Sequence, residues 1–261
     1  MKRASLIVSI AGIAALILPL SLLAQDQEEE QGPLADVWIM VAKRGMEAQF
    51  SEAMEAHMAF RAEAEEMRDW QAYRVVVGHH LNLIQFRSCC FDWADLDAHE
   101  AEDAEKGLGA DFNENVDQYV DHYHHYLERN DWENSHWPDD GTDGPYYGVT
   151  SWTVKQGAGP GPNKARKKLS EVALNEGWAE AGHNWFWLSR VGGKPMTMIV
   201  TSFESFADMA PPEQSFFEFV TEKLGAEEAG AVFAQFGAGF TSSDYTVWEY
   251  DESLSSASDD E

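Results

Sequence analysis

Positive charge is scarce in this chain: 18 Lys and Arg stand against 46 Asp and Glu, a formal net charge of -28. Such a chain repels nucleic acid and anionic lipid, which excludes both as direct partners, and the acidity itself reads as a solvated surface. Cysteine is scarcer still. Cys89 and Cys90 are the only two and are neighbours, so a scaffold stapled across its loops is excluded. A vicinal disulfide, an intermolecular bridge or two buried thiols remain, and the last is favoured because free Cys commonly packs as a small core hydrophobe. Beyond the N-terminus no apolar run is long enough to span a bilayer. A Gly-rich phosphate loop, a Ser/His/Asp order and a paired-Cys metal motif are all missing, and Gly157 to Gly161 lacks the spacing of a dinucleotide fingerprint.

What is present begins with Met1-Lys2-Arg3, an apolar stretch from Leu6 to Leu18, then Pro19 and a short run to Ala24. A basic start, an apolar middle and a breaker before a small residue make a secretory signal. Cleavage after Ala24 is expected, although Leu22 stands where a small residue is usual. The alternative is an uncleaved anchor, which Pro19 disfavours. Residues 1–24 hold Lys2 and Arg3 and no acid, so the exported chain carries -30 and is expected to be periplasmic or secreted, with no membrane contact once the signal is removed. Residues 25–33 read as a disordered acidic leader, 134–145 as a linker rich in Pro, Gly and Asp, and 251–261 as a disordered acidic tail.

Between these flanks the chain repeats itself. Trp38 precedes Gly78 by 40 residues and Trp152 precedes Gly192 by the same 40, an offset of 114. Leu108-Gly109-Ala110-Asp111 recurs as Leu224-Gly225-Ala226-Glu227, and Trp132-Glu133 as Trp248-Glu249, each at 116. Self-similarity at a long fixed period marks repeated structural units. Within 34–133, a strand (36–42) precedes an amphipathic helix (46–67) carrying Phe50, Met54, His57, Met58 and Arg61 at helical spacing. A hairpin about Gly78-His79-His80, helices near 94–106 and 113–122 and a strand near 126–132 follow. Residues 146–250 repeat this order: strand 148–154, helix 163–180, hairpin strands 184–191 and 196–202, helices 212–223 and 227–236, and strand 244–250. Strand-helix-strand-strand-helix-strand, twice, is an α+β pattern of tandem ferredoxin-like modules. Val75-Val76-Val77 and Trp185-Phe186-Trp187-Leu188 are apolar on both faces, so both faces are expected to be buried, with the two antiparallel sheets packed on each other as an intramolecular pseudo-dimer.

This layout, over about residues 34–250, resembles the dimeric α+β barrel superfamily, with its antibiotic-biosynthesis-monooxygenase-like, EthD-like and NIPSNAP-like groups. The resemblance implies cofactor-independent oxygenases, haem-handling enzymes or proteins without known activity, and a ligand space between the first helix and the sheet. His57 lies on the helix face turned to that space. With Trp38, Tyr73 and Trp132 it makes the candidate wall for an apolar or aromatic molecule, no cofactor being required and haem being the alternative. His57 as a neutral, hydrogen-bonded core residue is the plainer reading. His122, His124 and Tyr126 would share one face of an extended segment, with Tyr123 and His125 on the other. The trio is a candidate metal set without a carboxylate or Cys at ligand spacing, so solvated histidines are favoured. The basic cluster Lys164, Arg166, Lys167 and Lys168 reads as the wet face of a helix. Three functions compete: an exported small-molecule-binding protein, an oxygenase-like or haem-handling enzyme with His57 as base or axial ligand, and an association protein acting through sheet faces or Cys89 and Cys90.

Overall fold

The computed structural model describes residues 32–138 and 144–256. The expected signal, the leader up to residue 31, residues 139–143 of the linker and 257–261 of the tail lie outside the described residues. In chain order the elements are β1 (Leu34–Ala42), α1 (Glu47–Glu63), β2 (Gln71–Val77), β3 (Leu83–Phe91), α2 (Asp95–Lys106), α3 (Leu108–Asn115) and β4 (Val120–Asn130). Then follow β5 (Tyr146–Val154), α4 (Gly161–Asn175), β6 (Phe186–Val191), β7 (Met196–Phe203), α5 (Phe216–Leu224), α6 (Ala226–Gly237) and β8 (Phe240–Tyr250). Local sequence explains several boundaries. α1 buries Phe50, Met54, His57 and Met58, the stripe that its spacing foretold. Gly107, at φ 71°, ends α2 in the left-handed conformation and turns the chain into α3. Ser215 and Glu218 form a reciprocal capping box at the start of α5.

The eight strands, all antiparallel, close into one barrel in the order β1-β3-β2-β8-β5-β7-β6-β4. The expected pair of stacked sheets is therefore corrected. β2 bonds β8 and β4 bonds β6, so the edges that two separate sheets would leave open are satisfied by each other. Burial on both strand faces has a different origin from face-to-face stacking: one face looks into the barrel and the other is covered by helices. On β1, Ile39 lines the interior while Trp38 and Met40 face outward toward α1.

The register that revealed the repeat is also corrected. The bulge ending β1 at Ala42 opposite Val120 recurs at Val154 opposite Phe240, offsets of 112 and 120. Trp152 thus stands where Met40 does, and Trp248 where Glu128 does. The 114 and 116 spacings match residue types that happen to recur, whereas backbone pairing defines equivalence.

Three further expectations change. Cys89 and Cys90 are joined to each other, so neither is a buried thiol and neither is left for a bridge between chains. Arg166 is buried, ion-paired with Asp131 and set over the Trp187 ring at 5.2 Å, while Lys164 and Lys167 remain on the wet face. The presumed flanks are partly structured. Asn134 is buried, His136 forms a β-bridge with Trp185, and Leu254 is fully buried beside Ser255 and Ser256, which bond the backbone of Ala72 and Trp70. Single 3-10 turns, Trp132–Asn134 and Glu252–Leu254, follow β4 and β8, and the polar groups beside them find partners.

Candidate functional site

A cavity of about 760 Å³ lies between α1, α2 and α3 and the outward faces of β1, β3 and β4. Its volume is that of a site for a small organic molecule. Trp38, Trp70, Phe86, Phe112, Met54 and Met58 give it an apolar wall. Along one side runs a connected polar chain. Asp111 meets His57 Nδ1 at 2.7 Å, and Arg61 Nε donates to His57 Nε2 at 2.9 Å. Arg61 Nη1 donates to Glu66 at 2.6 Å, and Arg68 Nε reaches the same carboxylate at 3.1 Å. Arg68 Nη1 then donates to Asp36 Oδ2 at 3.2 Å, and His125 Nε2 meets Asp36 Oδ1 at 2.6 Å. Both guanidinium groups also flank the Trp70 ring, at 5.5 and 4.9 Å. In this network the buried carboxylates of Glu66 and Asp36 face the guanidinium groups of Arg61 and Arg68, which is the condition for keeping such charges out of water.

His57 accepts from Arg61 through Nε2, so its proton sits on Nδ1 and is donated to Asp111. Burial holds its pKa below the ordinary histidine value, against the opposing pull of Asp111, and the ring is neutral. With both nitrogens engaged, His57 has no lone pair for iron. Haem takes an axial imidazole nitrogen, and His99 Nδ1, also at this cavity, is sealed from solvent. His57 therefore does not fit the axial-ligand role, nor that of a free base.

His125 is differently placed. Its ring stacks on Trp38 at 4.2 Å and 10°, half exposed at the cavity wall. With Nε2–H given to Asp36, Nδ1 carries the lone pair, the arrangement of an imidazole base held by a carboxylate.

The four residues expected to share a ligand wall are split between two spaces. His57 and Trp38 line the outer cavity, whereas Tyr73 and Trp132 line the barrel interior, a separate space of about 450 Å³. Burial pushes the Tyr73 phenol pKa well up, so it stays protonated. His122, His124 and Tyr126 do follow one another along β4, with ring centroids 5.5 and 6.0 Å apart. They lie within the strand and not at the expected helix-strand junction, because β4 starts at Val120. Both histidines are exposed, and among the described residues no group of three His, Cys, Asp or Glu is gathered to hold a metal. Sequence reasoning missed Asp36, Glu66, Arg68 and Asp111. One signal was available: Arg61 lies one helical turn after His57, within reach of its ring.

No protein-family model matches the sequence, and no curated protein does. Among solved structures the chain is similar to a provisionally named monooxygenase from Fusobacterium nucleatum, with TM-score 0.50 and 11% identity over 85% of this chain and 93% of that one. An anthrone oxidase-like protein gives TM-score 0.49 at 13% identity over 88% and 95%. A mutant chlorite dismutase from Candidatus Nitrospira defluvii gives 0.48 at 9% over 86% and 93%. At such identities the likeness concerns the fold alone. The class is a mixed α/β protein with antiparallel strands, and the shared fold is all that these neighbours bring to it.

Proposed function

We propose that this protein binds a small, largely aromatic molecule in the outer cavity of its first half, between α1–α3 and the barrel wall. The carrying observation is the cavity itself: about 760 Å³ walled by Trp, Phe and Met side chains, with Asp36, Arg68 and His125 along one side. The apolar wall supplies affinity and the polar side orients a hydrogen-bonding substituent. Two strand-helix-strand-strand-helix-strand passages support reading the barrel as tandem ferredoxin-like modules in one chain. The basic-apolar-Pro-Ala start and the disulfide of Cys89 and Cys90 support export to an oxidising compartment. The test is a thermal-shift and tryptophan-fluorescence screen with bicyclic phenols, quinols and their non-hydroxylated parents. A hit should raise the melting temperature, and Trp38→Ala should abolish its effect. The reading fails when no compound stabilises the protein, or when Trp38→Ala binds as the parent does.

A second reading is favoured by one observation, the pairing of His125 with Asp36 on a ring stacked against Trp38. An imidazole so held can take the proton of an acidic phenol bound alongside, the first step expected of an oxygenase that activates its substrate as an anion. Oxygen uptake with a bound phenol, lost in His125→Ala while binding persists, would support it. Equal uptake by the two proteins would end it.

A further inference from the structure

The barrel interior holds a feature that the outer cavity does not explain. Among the described residues, the arginines withdrawn from solvent each face a carboxylate: Arg61 meets Glu66, Arg68 meets Asp36, Arg74 meets Asp251, Arg87 meets Glu128 and Arg166 meets Asp131. Arg190 is the exception. Its Nη1 reaches only the Met196 sulfur at 3.0 Å and its guanidinium lies 4.1 Å over the Tyr126 ring. Its Nε is buried without any acceptor. Glu128, directly across the β4–β6 pair, is turned instead to Arg87 at 3.6 Å. In a chain with 46 acidic and 18 basic residues, a half-buried cation without an anion is not for want of carboxylates.

The surroundings say what would complete it. Phe186, Leu188 and Arg190 alternate along β6 and all line the interior, so the cation sits at one end of a strip about 13 Å long whose remainder is apolar. Met198 and Val200 continue that strip on β7, and the Phe186 ring stands 4.5 Å from Trp132 and 5.6 Å from Trp137. The Cys89–Cys90 disulfide lines the same space and adds a polarisable surface suited to a ring or an aliphatic chain. Arg87 and Glu128 neutralise each other, and Asp69 is exposed at the rim, which leaves Arg190 to set the charge that the interior selects.

We propose that the barrel interior is a second ligand site, taking a monocarboxylate with an apolar body, its carboxylate on Arg190 and its body against Leu188, Phe186 and Trp132. A guanidinium and a carboxylate removed from water form a charge-assisted hydrogen bond, and the volume of about 450 Å³ admits a bicyclic acid or a medium-length fatty acid. The site is separate from the outer cavity and does not rest on its function.

Calorimetric titration of the full chain with 2-naphthoate, decanoate and the neutral 2-naphthamide tests it. At least one acid should bind, with the amide at least tenfold weaker, and the stronger of the two acids tells whether the body is aromatic or aliphatic. Arg190→Gln should remove the preference for acid over amide, and Arg190→Lys should keep it at reduced affinity, which decides the matter if the Gln variant does not fold. Trp38→Ala, in the outer cavity, should leave acid binding unchanged. Equal binding of acid and amide, binding that survives Arg190→Gln intact, loss of binding in Trp38→Ala alone, or no binding by either acid would each overturn the proposal.

Discussion

The outward faces of the barrel's two halves are covered by helices in opposite ways. Under α1, α2 and α3 the space is a cavity edged by ion pairs. Under α4, α5 and α6 it is filled by rings. Trp152 packs on Trp187, Phe236 and Phe240 at 5.2 to 5.8 Å, and Trp178 contacts Phe216 and Phe219 at 5.2 and 5.1 Å. α4 buries the small residues Ala165, Ser170 and Ala173 among Arg166, Leu169 and Val172, where α1 buries Phe50, Met54, His57 and Met58. One architecture therefore leaves a ligand-sized hollow on one side and is densely packed on the other. The proposed binding falls in the hollow half, and the denser ring packing lies in the other.

The largest test of that division is truncation of one tryptophan in each half. Trp187→Ala, which also removes the 3.0 Å bond to Ser170, should cost about 4 kcal/mol, because the rings around it cannot collapse into the hole. Trp38→Ala, bordering space that is already empty, should cost about 2 kcal/mol. Urea unfolding of both variants checks this, and equal losses would break the comparison. Next comes Glu66→Gln. This carboxylate, 1% exposed, takes Arg61, Arg68 and Trp70 Nε1 together, and its neutralisation should cost about 3 kcal/mol by leaving two guanidinium groups short of charge.

A smaller effect concerns pH. The folded pKa of His57 is lowered by burial, so the unfolded chain binds its proton first as pH falls through the ordinary value of 6.5. The stability contributed by the neutral ring is complete above that value and declines below it. Urea midpoints from pH about 7.5 to about 5.5 should fall less steeply in His57→Gln than in the parent protein. Smallest of all, reduction of Cys89–Cys90 should change stability by about 1 kcal/mol or less, since a link between neighbours constrains very little of the unfolded chain. Melting with and without dithiothreitol measures it.

How far the candidate site could be read in advance differs residue by residue. His57 was placed on a buried helix face by its seven-residue distance from Phe50, and it is there. Its partners were not legible, because Asp111 is 54 positions away and enters through α3. The opposition of His125 to His124 followed from strand alternation, yet Asp36, 89 residues distant, is what makes His125 a held imidazole. Tyr73 and Trp132 were assigned to the wrong space, since aromatic character marks burial without naming the side of the sheet.

What the amino-acid order determined by itself was local: the succession of strands and helices, their repetition, the acidic surface and the apolar character of both strand faces. These follow from periodicity, turn residues and charge, all of which act over a few neighbours. Tertiary structure alone decided that β2 meets β8 and β4 meets β6, which face of Trp185-Phe186-Trp187-Leu188 looks inward, that one half is hollow and the other filled, and that Arg190 stands without a carboxylate. Each of these depends on which distant groups compete for the same space or the same charge, and that competition is resolved only when the barrel closes.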